Sequence, residues 1–319
     1  MSYRSVIGHG TLVKNEAEYG QGSAFSTAAD GAQCVEPPTL EVAYTYEGER
    51  PAPPGTAGRQ ALASPVGEHC SGSIACEIRG AGVAYTSSIT PPNIHALLRA
   101  SGFSAAFDSG AWTYTPTPIS EDYATAALRV YTRTERLDVV GALCDYEISS
   151  EDGAPLRISF EFQGLPTAPV NEPLPAITYN STLPPSATNI GFQWGSVTGL
   201  VVRSLQLTGN REIAPRLDIN AADGHAGFAA GRREPSLNIV VESTDLTNFN
   251  PYEEKKQKTV VPFSFQVGSE VGNRFTVSGN AQVMNVQREE DGPVATWNIE
   301  IAIVNTTPFA NDDLAFVLS

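Results

Sequence analysis

Chemistry in this chain would have to come from a short list of side chains. Four histidines and four cysteines are present, the cysteines at Cys34, Cys70, Cys76 and Cys144. His69 beside Cys70, with Cys76 further on, offers nitrogen and sulfur donors, but a structural zinc site is built on closely paired cysteines and no C-x-x-C pair is present. The cysteines are even in number but irregularly spaced, which reads as reduced, half-buried thiols with no disulfide scaffold and no metal. Carboxylates gather at Glu151/Asp152 and at Glu289/Glu290/Asp291, where paired acids could share acid and base work. Both groups fall in hairpin turns, where solvated charge is the ordinary reason for them. The glycine pairs Gly8/Gly10, Gly20/Gly22 and Gly80/Gly82 have no helix start behind them to cradle phosphate. No G-x-S-x-G elbow, H-E-x-x-H pair, Walker loop or G-x-G-x-x-G turn occurs. No catalytic, metal or cofactor-binding residue can be assigned, and an enzyme is not expected.

The totals point the same way. With 319 residues the chain can bury a real core, and a formal net charge of -15 disfavours nonspecific attraction to nucleic-acid phosphate or anionic lipid. No apolar run approaches the ~20 residues of a membrane helix. The opening MSYRSVIGHG lacks the charged start and apolar core of a signal peptide, so the chain is expected inside the cell where it is made, and the sequons at Asn180 and Asn305 carry no meaning there. Twenty-eight glycines and twenty-three prolines suit a β-rich structural protein.

The elements that could position any site are mostly strands. From Val260 to Val304, Phe263, Phe265 and Val267 alternate with polar neighbours, as do Trp297, Ile299, Ile301 and Ile303. That period of two marks strands buried on one face. Asn285, Gln287, Asn298 and Glu300 fall on the other, so a hairpin turning at Glu289 to Gly292 has one apolar and one hydrophilic side. Such a hairpin must pack into a sandwich or join neighbouring subunits.

Taken in order, residues 1–33 read as an extended N-terminal arm and 34–165 as a first β-sandwich domain carrying a Pro/Gly-rich loop at 48–67. Within it, strands are expected at Leu40–Tyr46, Ser73–Ile78, Trp112–Pro116, Ala126–Arg133, Asp138–Ile148 and Leu156–Phe162. Thr90-Pro91-Pro92 opens the clearest helix, with Thr90 as N-cap, an apolar stripe of Ile94, Leu97 and Leu98, and Gly102 at its end. His95 lies off that stripe and reads as a solvated helix residue. Residues 166–188 form a proline-rich linker, and 189–319 a second sandwich domain, with strands at Asn189–Trp194, Leu200–Thr208, Arg216–Asn220 and Leu237–Glu242 and a short helix near Asp245–Lys256.

The two halves end alike. Glu151-Asp152-Gly153 and Glu290-Asp291-Gly292 each turn a hairpin, and at a spacing of 139 Ile158 meets Trp297, Phe160 meets Ile299 and Phe162 meets Ile301. Before the turn a spacing of 138 matches Gly141 to Gly279, Tyr146 to Met284 and Ile148 to Val286, as if the second turn held one extra residue. The expectation is a duplicated unit.

These stretches carry a resemblance. TPPNIHALLRASGF and the Tyr/Pro segment after it, VVGALCDYEISSEDGAPLRISFEFQGLPTAP, VGNRFTVSGNAQVMNVQREEDG and the closing Asn311-Asp312-Asp313-Leu314 are similar, in order and spacing, to the tail tube, or major tail, proteins of long-tailed bacteriophages of the siphovirus type. The resemblance covers roughly Ser73 to the C-terminus. It implies a mainly β fold: a tail-tube-type β-sandwich with a flanking short α-helix, here in two tandem copies, whose inner strands form a β-barrel on assembly. It implies a virion protein, assembled in the host bacterial cytoplasm, that polymerises as stacked rings into the hollow tube through which DNA is delivered. Tape measure protein and tail terminator or distal tail proteins would be its partners, with no cofactor and no membrane. Two copies per chain would give a trimeric, pseudo-hexameric ring; one domain with large insertions would give a hexamer.

On that reading, strand parity turns Asp145, Glu147, Ser159, Glu161, Gln163, Asn285, Gln287, Asn298 and Glu300 towards the lumen, where acidic groups would repel DNA; Arg157 shares the face. An ordinary solvated outer face accounts for the same residues. Ring stacking would fall to Tyr3–Phe25, the 48–67 loop and the tail Phe309–Leu318. The alternative is a phage-associated carbohydrate-binding or capsid-decorating β-sandwich module, which would show clustered exposed aromatics, whereas Trp112, Trp194 and Trp297 are dispersed.

Overall fold

Alternating apolar and polar residues build strands wherever one face can be buried, and here they do so along most of the chain. In a computed structural model of the protein, residues 8–47, 64–91, 94–118, 123–132, 134–151, 154–186, 190–197, 199–221, 224–307 and 311–319 are described. The first half contains β1 (Gly10–Asn15), β2 (Gly31–Ala32), β3 (Thr39–Glu47), β4 (Ser64–Glu77), α1 (Ile94–Ala100), β5 (Phe103–Asp108), β6 (Ala111–Pro116), β7 (Ala126–Tyr131), β8 (Arg136–Glu151) and β9 (Arg157–Pro166). The second contains β10 (Gln193–Trp194), β11 (Val202–Thr208), β12 (Arg211–Leu217), β13 (His225–Arg233), β14 (Ser236–Glu242), α2 (Pro251–Gln257), β15 (Val260–Val267), β16 (Phe275–Asp291), β17 (Val294–Ile303) and β18 (Leu314–Leu318). The protein is mainly β and antiparallel throughout its named strand pairs.

Its central layer is an unbroken run of eight strands in the order β3-β4-β9-β8-β11-β14-β17-β16. Registered across it lies a row of buried apolar side chains: Cys76, Ile158, Ile148, Leu207, Leu237, Ile301 and Val283. Strands β8 and β16 are longer than the other layer strands, and their N-terminal parts also pair with β7 and with β15 and β18 respectively. Aromatic contacts close the sandwich: Tyr146 of β8 meets Phe103 of β5 and Phe316 of β18 edge-on. Ile94, Leu97 and Leu98 of α1 are fully buried in the same core, and Gly102 ends that helix at φ +91°, a conformation glycine adopts without strain. None of the described helices is long and apolar enough to cross a membrane.

The hairpin correspondence can be followed through the register. Keeping the spacing of 139 on the returning strands sets Ile158, Phe160 and Phe162 against Trp297, Ile299 and Ile301. On the outgoing strands the extra residue is in the strand: β16 bulges at Met284, so Tyr146 corresponds to Val286 and Ile148 to Arg288, not to Met284 and Val286. The second turn is the shorter one, closing with Gly292 and Pro293 between paired Asp291 and Val294. The likeness extends to the flanking strands. Strand β4 stands to β9 as β14 stands to β17, which superposes Ser71, Ile74 and Glu77 on Ser236, Ile239 and Glu242. Strand β3 then corresponds to β11, and residues 48–63 fall at the place in strand order taken by the β12/β13 hairpin.

Several expectations need correction. The arm at 1–33 is no loose extension over its described part: β1 pairs all along β7 and buries Leu12 and Val13. Glu16 then accepts hydrogen bonds from the amides of Gly20, Gly22 and Gly141 and from the Thr125 hydroxyl, and the Tyr19 hydroxyl accepts from the Phe228 amide. The expected loop at 48–67 lies outside the described residues over 48–63, and 64–67 already belong to β4. Arg216–Asn220 is the end of β12 followed by a turn. In the tail, Leu314, Phe316 and Leu318 are core residues, buried where β18 pairs with β16 and β6. The second helix keeps only the part after Pro251, capped by Asn250, whose side chain accepts from the Glu253 amide. The proline-rich segment after β9 is extended and tied to the first half, with Val170 exchanging backbone hydrogen bonds with Arg136, Thr178 donating to Thr27, and Asn180 donating to Gly80.

Candidate functional site

The other face of the eight-stranded layer is mostly polar, with Ala75, Leu143 and Val240 also on it. One registered row runs Glu77, Arg157, Ser149, Gln206, Asn238, Glu300 and Asn285 across seven strands. The nine residues singled out by parity all lie on this face. Asp145 stands opposite Glu161 and Glu147 opposite Ser159, while Asn285 stands opposite Glu300 and Gln287 opposite Asn298. Gln163 pairs with Leu143 across the bulge in β8. Glu161, Gln287 and Glu300 are exposed, the others half-buried.

Hydrogen bonds link side chains of this face to their neighbours. Gln206 donates to Glu147 at 2.9 Å, Asn298 to Glu289 at 3.1 Å, and Lys255 of α2 to Asn285 at 3.1 Å. Gln206 and Asn238 escaped the sequence reading because nothing local shows that β11 and β14 would be inserted between the two hairpins. Asp145 behaves differently from its neighbours: burial, above all, raises its carboxyl from the ordinary range, the charge of Glu161 adds to the rise, and its Oδ1 is buried without a hydrogen-bond partner.

Elsewhere the ionisable groups gather as ion pairs, with Asp138 between Arg129 and Arg136 and the latter also meeting Glu172. Cys34 and Cys76 face each other across an isolated bridge, and all four cysteines are free. Burial pushes Cys70 up to about 11 and Cys144 up to about 12, the reverse of what a nucleophilic thiolate needs. His69 stacks on His225 at 6.4 Å, not on a cysteine, and among the described residues no group of three His, Cys, Asp or Glu side chains could hold a metal. His95 is not the solvated residue expected: it is half-buried, shares a 2.8 Å hydrogen bond with the Tyr114 hydroxyl and lies edge-on to Trp112. Burial first, then Arg99, lowers it to about 4. A large cleft near Arg211 holds paired charges: Arg233 with Asp313, Arg232 with Glu234, and Arg211 donating to the Ala100 carbonyl.

The layer also stops abruptly at both ends. Among the described residues, β3 over Thr39–Ala43 pairs only with β4, and β16 beyond Val283 pairs only with β17. Exposed apolar side chains stand at those edges, Val42 at 38% and Met284 at 54%. Open strand edges normally pair with something or are blunted.

The result is a mainly β scaffold with a buried apolar row on one face, a registered polar row on the other and two strand edges unpaired among the described residues. The chain belongs to the phage tail tube protein family: a family model of that description matches residues 13–307. No curated protein matches it. It is accordingly a structural component of a phage tail.

Proposed function

We propose that the protein polymerises as stacked rings into a hollow tail tube through which the genome is delivered, with the polar face of the eight-stranded layer lining the lumen. The observation that carries this is the registered polar row from Glu77 to Asn285, backed by an equally continuous apolar row. Side chains facing a water-filled channel stay solvated while the opposite face fills the sandwich. Glu147, Glu161 and Glu300 give the channel its sign, and Arg157, paired across the sheet with Glu77, does not reverse it. Acidic walls repel phosphate and leave passing DNA unbound.

The chain holds two tandem four-stranded units, β3-β4-β9-β8 and β11-β14-β17-β16, within the domains 34–165 and 189–319, so three chains supply the six units of a ring. Assembly takes place in the host cytoplasm, around a tape measure protein and between distal tail and terminator proteins, and involves no catalysis. The test is negative-stain electron microscopy of purified protein at rising concentration and with tail fractions as seeds. Hollow tubes with a regular axial repeat and threefold end views are expected. Compact particles under every condition would overturn the proposal.

A further inference from the structure

We infer that neighbouring subunits join by pairing β3 of one chain, antiparallel, with the open C-terminal part of β16 of the next, in a register that the chain itself displays at its β8/β11 junction. This rests on the tube reading above and adds to it the two edges and their alignment.

The two halves of the central layer are fused where β11 lies on β8, with Thr208 opposite Glu147, Leu207 opposite Ile148 and Gln206 opposite Ser149. At that junction β8 changes partner. Its N-terminal part carries β7, and β11 takes over the same edge at Glu147. The same change begins on β16 and is left unfinished. Strand β15 covers one edge as far as Gln282, and beyond it that edge has no partner among the described residues. The strand that corresponds to β11 by register is β3, at the far end of the layer, and its outer edge is likewise open over Thr39–Ala43. A second copy of the chain brings that edge to this one.

Transferring the junction gives the register. Glu147 corresponds to Gln287 and Thr208 to Glu41, so Glu41 of one chain faces Gln287 of the next. The neighbouring pairs are Thr39 with Glu289, Leu40 with Arg288, Val42 with Val286 and Ala43 with Asn285. No directly opposed pair carries like charges, and Val42 and Val286 meet on the apolar side. The polar face continues across the seam through Thr39, Glu41, Gln287 and Glu289. The transferred seam starts later than the internal one, because Pro37 and Pro38 replace Ser204 and Leu205 and have no amide to give. Beside the internal junction Arg211 ties the C-terminal end of α1, and α2 stands at the equivalent place beside β16.

The test is a cysteine pair. Glu41→Cys with Gln287→Cys, assembled into tubes and oxidised with copper phenanthroline, is expected to give covalent dimers and trimers and nothing larger. Each single variant is expected to stay monomeric. Glu147→Cys with Thr208→Cys, the equivalent places inside the chain, closes a bond within one monomer as the control. Tubes in which Glu41→Cys crosslinks instead to Asn285→Cys or to Glu289→Cys, or to none of the three, overturn the register while leaving the tube standing. Amide exchange on the unaltered protein gives an answer even if the variants do not assemble: segments 39–43 and 284–291 should both slow by roughly tenfold or more on going from monomer to tube. Unchanged exchange in either segment within formed tubes overturns the seam, whereas an unaltered chain that forms no tubes removes the reading beneath it.

Discussion

At the scale of single residues, the polar face is not uniform. Most of its carboxylates meet solvent, but Asp145 packs closely against Gly209 and has one oxygen without a partner. Its proton is held more tightly in the folded chain than in the unfolded one. The folded state is therefore favoured below the ordinary carboxylate range, and that advantage is lost as pH rises through the raised folded value. Asp145→Asn should remove this loss, stabilising the protein at pH 7 and leaving it unchanged near pH 3. Urea midpoints measured across that range check it, and a variant whose midpoint tracks the unaltered protein at every pH would refute it.

At the scale of elements, alternation is the legible signal and small residues hide the rest. Strands β9 and β17 stand out because large apolar groups alternate with Ser, Glu or Asn, and β9 begins one residue after the expected Leu156 but runs on to Pro166, past the expected end at Phe162. The N-terminal part of β4, Ser64 to Ser73, is small and polar, and its strand character comes from its neighbours β3 and β9. Strands β12 and β13 are rich in Arg, Gly and Ala and pair only with each other, so local pattern could not reveal them. The site is half visible for the same reason: parity identifies the face of each hairpin, but the β8/β11 junction that makes it continuous is a pairing between distant segments. The face assignment on β17 has a direct test. Ile299 and Ile301 are buried and Glu300 between them is exposed. Ile299→Asp or Ile301→Asp should cost on the order of 3–5 kcal/mol, enough to unfold a marginal domain, because an unpaired charge would be buried. Glu300→Ala should stay within about 0.5 kcal/mol, and equal tolerance of all three in denaturant titrations would sink the assignment.

At the scale of the whole molecule, the proposed channel lining makes the sign of charge on one face a testable property. Replacing Glu147, Glu161 and Glu300 together with Lys should leave tubes intact, since none of the three is buried, and should convert the channel wall into a binder. Its affinity for short duplex DNA would fall by about a thousandfold between 50 and 200 mM salt, the dependence expected when several phosphates are neutralised. Variant tubes that retain no DNA even at the lower salt would show that this face does not line the channel.

The junction of β8 with β11 also bears on how fast such a structure can be built. It closes within one chain, so it forms at the concentration-independent rate of folding. On a three-chain ring every second seam is then complete before any encounter takes place, and closure needs two collisions where six separate units would need five. Each body that joins gives up translational and rotational freedom, at a cost of roughly 4–15 kcal/mol. Tethering the units in pairs removes three of those five losses and lets rings nucleate from a more dilute pool.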